Sequence, residues 1–220
     1  MVCIGYAGCE AFDVILYTAR TITKLNYRVL IVDLSETGAI NKSIKHGMGL
    51  DSKKVIVNYR DINYTRKIPT EDEFEMFREG VVFVVYGSNY VIDFPIPCKT
   101  VNIVVNTLPH IIEGVNLLLH NILKNEDSFR LLIRDVITPD DVDRVKECMD
   151  LPIKLENINY LYLDLRDYEG AMYCQLRQQI RFRKVSIGMV KYITDQIISI
   201  LPKTKPARIK RAIVMARRGV

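Results

Sequence analysis

A mostly parallel α/β sheet flanked by helices is the fold class this sequence predicts, and three observations predict it. Short β-branched apolar runs alternate with amphipathic helical segments along the chain. The run from Arg28 to Leu34, R-V-L-I-V-D-L, is apolar at successive positions and ended by one acid, as in a strand buried on both faces. No repeat or low-complexity linker breaks the alternation, so the elements belong to one layered sheet.

Taken in order, the pattern predicts a strand at Val2–Gly5, a turn through Tyr6–Glu10, a helix near Phe12–Leu25 and the strand Arg28–Leu34. Between Gly38 and Lys67 the apolar residues Val55, Val57 and Tyr59, then Ile62 and Tyr64, alternate with polar neighbours, which predicts an edge strand or hairpin. An acidic helix around Glu71–Arg78 precedes a strand at Val81–Tyr86. Thr100–Val105 leads past Pro109 into a helix near Ile111–Leu123, and Phe129–Ile133 leads through the Thr138-Pro-Asp start signal into a helix reaching Met149. A strand at Tyr160–Leu165 and a helix near Val185–Leu201 complete the body.

With 220 residues, 49% of them hydrophobic and 26% charged, the chain can bury a sizeable core, which excludes disorder and a disulfide-built miniprotein. No apolar run approaches the roughly 20 residues of a membrane span, and no secretory signal opens the chain, so a cytoplasmic location is expected. Five widely spaced cysteines without a C-x-x-C pair indicate reduced thiols rather than a disulfide framework or zinc site. The net charge of +5 is a property of the tail. Seven cations and no acid follow Pro202; taking these seven from the 31 Lys and Arg leaves 24 against 26 acids in residues 1–201.

In a sheet of this type the turn after the first strand is where a phosphate would rest, on free backbone N–H groups and the helix dipole. Here it reads I-G-Y-A-G-C-E-A-F, with Gly5 and Gly8. Two glycines serving a tight turn explain it without a ligand. A dinucleotide site would use Asp33 to hold the ribose but lacks its remaining glycines, and a phosphate-binding G-K-[ST] is replaced by Gly8-Cys9-Glu10.

The order strand, glycine turn, helix, then R-V-L-I-V-D-L-S-E-T-G resembles the opening of the MinD/ParA class of deviant Walker ATPases, a P-loop NTPase-like fold of the SIMIBI type. Later segments follow suit: V-V-F-V-V-Y-G-S, T-V-N-I-V-V-N-T-L-P-H-I-I-E-G-V-N-L-L-L and F-R-L-L-I-R-D-V. The resemblance implies that Gly5 and Gly8 match loop glycines and that Asp33 matches the acid ending the second strand. It also implies losses. Ile4 stands at the signature lysine, Cys9 at the loop lysine and Glu10 at the magnesium-binding hydroxyl. Tyr86 stands near the second-strand aspartate, and Arg134 or Asp135 near the base-reading asparagine. Phosphoryl transfer depends on charge neutralisation and positioning, so the resemblance implies a pseudo-ATPase without cofactor, whose subunits, if dimeric, are joined by direct protein contacts.

Other clusters have simple explanations. His46, His110 and His120 lack metal-ligand spacing; on one helix the last two would lie about 15 Å apart. Asp140, Asp141 and Asp143 open a helix, where acids complement the dipole. Arg177, Arg181, Arg183 and Lys184 form a basic run that could face nucleic acid, although ordinary helix-loop solvation is the simpler explanation and nucleic acid is not an expected partner.

The tail is a sharper signal. After Pro206, Ile209, Ala212, Ile213, Ala216 and Val220 share one helical face, with Arg211 and Arg218 opposite and Arg208, Lys210 and Arg217 at the margins; Lys205 precedes them. Such a helix fits an anionic membrane surface, a protein partner, or simple packing on the body. The sequence reading is therefore a MinD/ParA-like domain over residues 1–201 with a basic amphipathic tail over 202–220. Its expected role is a scaffold or positioning factor of a pilus, secretion or division type, bound to protein partners at the inner membrane face. A Rossmann-type dinucleotide enzyme and a DNA-associated partition protein are the alternatives.

Overall fold

In a computed structural model describing residues 1–44, 56–88, 94–122, 128–150 and 155–218, eight strands build one sheet. They are β1 (Val2–Gly8), β2 (Val29–Asp33), β3 (Val57–Tyr59), β4 (Ile62–Thr65), β5 (Val81–Gly87), β6 (Thr100–Asn106), β7 (Phe129–Val136) and β8 (Leu155–Tyr162). Their spatial order is β3-β4-β2-β5-β1-β6-β7-β8, all parallel except β3, which pairs antiparallel with β4. The β-branched runs of β1, β2, β5 and β6 occupy the centre, where both faces are covered. The hairpin expected between Gly38 and Lys67 is the β3/β4 edge pair; Val55 and His46 lie outside the described residues.

The helices divide into two layers. Helices α1 (Phe12–Thr23), α6 (Leu165–Arg177), α7 (Ile187–Ile200) and α8 (Pro206–Arg218) cover one face, with Tyr6, Ile31, Phe83 and Leu132 of the strands beneath. Helices α4 (Pro109–Ile122) and α5 (Pro139–Cys148) cover the other, over Val32, Val84, Ile103 and Leu131. Two short helical turns, α2 (Ala39–Lys42) and α3 (Glu71–Glu75), lie in connections. The acidic helix is thus shorter than expected, though its start carries a full capping box between Thr70 and Glu73.

Four expectations change. The first strand runs to Gly8, not Gly5, because residues 2–7 pair with β5 and residues 4–8 with β6, leaving only Cys9, Glu10 and Ala11 before α1. The last strand begins at Leu155, and residues 165–177 form α6. The strand L-E-N-I-N-Y-L-Y lies at a sheet edge and carries polar residues, which weakens the apolar signal used to place it. The tail is not a separate segment: α8 packs on α1 and α7, and Ile209, Ala212, Ile213 and Ala216 are all at most 4% exposed in the core shared with α1. Of the three occupants open for its apolar face, lipid, a partner or the body, it is the protein's own helices that cover it. Val220 lies outside the described residues.

Candidate ligand site at the end of the first strand

The central strands end around a cavity of about 280 Å³. Cys9, Glu10 and Ala11 form its β1 side, Ser35, Glu36 and Thr37 its β2 side, and Gly87 and Ser88 its β5 side. Ile15, Ile40, Ile111, Val115 and Leu118 give it apolar walls.

The two glycines of the first turn serve the sheet. Gly5 lies mid-strand, where an added Cβ would stand 3.0 Å from Val101 Cγ2. Gly8 has φ +102°, and a Cβ there would fall 2.1 Å from the Val104 carbonyl oxygen, which no neighbour can accommodate. The Cys9 N–H donates to that same oxygen at 2.8 Å, so this amide belongs to the pairing with β6. Burial first of all pushes the Cys9 thiol up to about 12.

At the start of α1 the helix has no side-chain cap from Ala11. An ion pair stands there instead. Arg134 donates from Nη1 to Asp13 Oδ1 at 2.7 Å and from Nη2 to Asp13 Oδ2 at 2.8 Å, and Nη1 also reaches the Glu10 carbonyl oxygen at 3.0 Å. Asp13 is 1% exposed and Arg134 is 16%. Strand alternation aims the arginine: Leu131 and Ile133 turn to the α4/α5 face and Leu132 to the α1 face, so Arg134 follows Leu132, and the β7 register against β8 slips only beyond it, where Asp135 takes φ +57°. Arg134 therefore faces α1 and is committed to Asp13.

The remaining polar wall is acidic. Thr37 Oγ1 donates to Glu10 Oε1, and Ser88 Oγ donates to Glu36 Oε1 at 2.9 Å. Burial, then the charges of Asp33 and Glu36, raise the Glu10 carboxyl above the ordinary range. Asp33, fully buried behind Ser35, accepts from Ser35 Oγ at 2.5 Å through Oδ1, while its Oδ2 has no hydrogen-bond partner; burial raises its carboxyl too. Among the described residues neither Lys nor Arg lines the cavity.

Other residues read from the sequence lie elsewhere. Ile4 and Tyr86 turn into the two cores, the latter with its hydroxyl 3.7 Å from Cys98 Sγ. Among the described residues no three His, Cys, Asp or Glu gather as metal ligands, and no helix is long and apolar enough to cross a membrane. Arg166, Arg181, Arg183 and Lys184 line one surface recess. Arg217 donates to the Arg183 carbonyl oxygen at 2.9 Å, and Arg60 to that of Ile180 at 3.0 Å, so cations from three distant stretches meet. Arg177 is also exposed, as are Lys205, Arg208, Lys210, Arg211 and Arg218. Sequence reasoning missed Asp13, Glu36, Thr37 and Ser88; their common signal is position, just past the ends of central strands or in the first turn of α1.

No protein-family model and no curated protein sequence matches the chain. Solved structures do. The MinC:MinD cell division complex of Aquifex aeolicus aligns over 99% of this chain and 95% of its own, with 12% identity and a TM-score of 0.55. A ParA family ATPase from Chlorobium tepidum aligns over 99% and 97%, at 10% identity and a TM-score of 0.56. The fold is that of the MinD and ParA ATPases. A protein assigned to plasmid partition in Borrelia burgdorferi, bound to AMPPNP, shares this MinD/ParA fold at 10% identity over 92% of this chain and 98% of its own, with a TM-score of 0.57. At such identities the likeness is one of fold, and site chemistry is read from the residues themselves.

Proposed function

We propose that this chain is a non-hydrolysing form of the MinD/ParA fold that acts as a scaffold or positioning factor in a division- or partition-type assembly. The observation that carries the reading is the start of α1, where Arg134 is bound to Asp13 and the adjoining cavity presents Glu10 and Glu36. Phosphoryl transfer is driven by cations and donors aimed at the phosphate oxygens. A carboxylate wall repels those oxygens, and Asp13 already supplies the negative charge that complements the helix dipole. That one structural neighbour is a cell division complex and another is assigned to plasmid partition supports a role exercised through protein partners. Isothermal titration calorimetry with Mg·ATP, together with phosphate release, tests the reading: neither binding at millimolar ATP nor turnover is expected, and micromolar affinity would overturn it. Because the apolar side of α8 is packed, removal of residues 206–220 is expected to destabilise the chain rather than release it from liposomes.

A second reading, contact with a polyanion such as nucleic acid, is favoured by the convergence of Arg60, Arg181, Arg183, Lys184 and Arg217 on one surface. Fluorescence anisotropy with duplex DNA tests it: binding should weaken steeply with salt and vanish in an Arg181→Ala, Arg183→Ala variant.

A further inference from the structure

We propose that the cavity at the end of β1 binds an organic cation with an apolar body, an ammonium or guanidinium group carried on an aryl or alkyl chain. The proposal rests on the preceding reading, that this cavity does not take a triphosphate, and names what it takes instead.

The lining carries the inference. Ile15 and Ile40 on one side and Ile111, Val115 and Leu118 on the other form an apolar floor and walls. Among the described residues Glu10 and Glu36 are the only Asp, Glu, Lys or Arg of the lining, and each has one oxygen held by a hydroxyl, from Thr37 and Ser88 respectively. Those hydroxyls fix the carboxylates in place but bring no charge to offset them. Behind Ser35, the buried Asp33 leaves Oδ2 without a hydrogen-bond partner. The other titratable groups facing the cavity are Tyr6, Cys9 and His110; Lys42 acts on Glu10, and Arg66 on Asp33, from outside the lining.

Glu10 and Glu36 are exposed at the rim of these apolar walls, and a cation that arrives with its own apolar surface suits both, since the same contact pairs the charge and covers the walls. An anion meets repulsion there, and a neutral apolar molecule leaves the carboxylates uncompensated. The 280 Å³ volume sits just below the roughly 300–1,000 Å³ usual for small-molecule sites, which suits a ligand of the size of one large side chain. A free amine and a Lys or Arg side chain of a partner segment share this chemistry.

The test uses the full chain. Calorimetric titration with phenethylammonium is expected to show binding at least tenfold tighter than with the neutral 2-phenylethanol, and equal or absent binding of both overturns the proposal. Two variants locate the site. Glu10→Gln with Glu36→Gln removes the charge and should weaken phenethylammonium at least tenfold. Gly114→Leu, placed where an added Cβ meets nothing within 4 Å, should block the cavity while leaving the circular dichroism spectrum unchanged. Binding untouched by either change would place the amine elsewhere and overturn the proposal. A blocked Phe-Arg dipeptide, compared with Phe-citrulline, separates the sources: tighter binding than the free amine marks a partner's side chain, weaker binding a small molecule. A parallel Mg·ATP titration separates the two readings. Failure of both ligands overturns this proposal alone, whereas ATP binding overturns both.

Discussion

Helices α1 and α7 both begin beside a buried carboxylate, and they satisfy it in different ways. At α7 the N-cap Ser186 bonds to the Met189 N–H, while Asp167 of α6 accepts from the Ser186 N–H and from its hydroxyl, both at 2.6 Å. No cation appears in that arrangement, and three polar groups close on one another. At α1 the N-cap is Ala11, the carboxylate Asp13 lies within the helix, and its partner is an arginine from the far side of β6. The first is an ordinary cap that joins two helices. The second is an internal salt bridge in the first turn of α1, where Asp13 sets a negative charge at the positive end of the helix dipole.

The contrast can be broken most severely at α1. Arg134→Ala leaves the Asp13 carboxylate buried and unpaired, and a loss of about 3–5 kcal/mol in urea denaturation is expected. Replacing both partners by apolar residues, Asp13→Leu with Arg134→Met, should recover most of it, because an ion pair exchanged for packed hydrocarbon is near neutral. If the double variant is no more stable than the single, the pair is not the reason Arg134 is there. Gly8→Ala comes next, at about 2–3 kcal/mol, from a strained φ together with a Cβ driven against the Val104 carbonyl. Gly5→Ala, with ordinary φ and side chains rather than backbone around it (Val101, Tyr86 and Cys98 at 3.0–3.3 Å), should lose less in the same assay.

That difference between two glycines shows what the sequence could and could not reveal. The central strands were legible because β-branched runs buried on both faces leave a strong mark, and the start of α5 was legible from Thr138-Pro-Asp, whereas the Ser186 cap of α7 was not singled out. The role of Gly8 was not, since G-x-x-G reads the same whether the backbone approaches a phosphate or a neighbouring strand. Asp33 was singled out from its place at the end of β2, but its unpaired oxygen depends on what packs behind Ser35. The Arg134 contact was beyond reach because alternation along β7 gives the face that side chain takes but not that α1 lies over it with Asp13 opposite. For the tail, amphipathicity fixed which face is apolar but carries no mark of what covers it; α1 and α7 do.

At α7 the expected effect is smaller. Ser186→Ala removes the cap to Met189 and one of the two donors to Asp167, and about 1–2 kcal/mol should be lost, with Ser186→Thr restoring most of it. A last and finer difference separates two other carboxylates, Asp33 at the end of β2 and Asp61 in the β3–β4 turn, in their response to pH. Asp33, beside the α1 site, has a carboxyl raised chiefly by burial, so the folded state holds its proton more tightly than the unfolded chain. Its contribution is fully present below the unfolded value near 4 and is lost as pH rises through the higher folded one. Asp61, by contrast, is lowered chiefly by its bond from Arg20, and its contribution is lost as pH falls. Asp33→Asn should therefore flatten the decline in stability above about pH 4. Asp61→Asn should flatten only the acid limb, so chemical denaturation of both variants across the range separates the two carboxylates. If Asp33→Asn leaves the slope above pH 4 unchanged, the unpaired oxygen is already protonated or solvated, and the acidic wall of the cavity is weaker than its geometry implies.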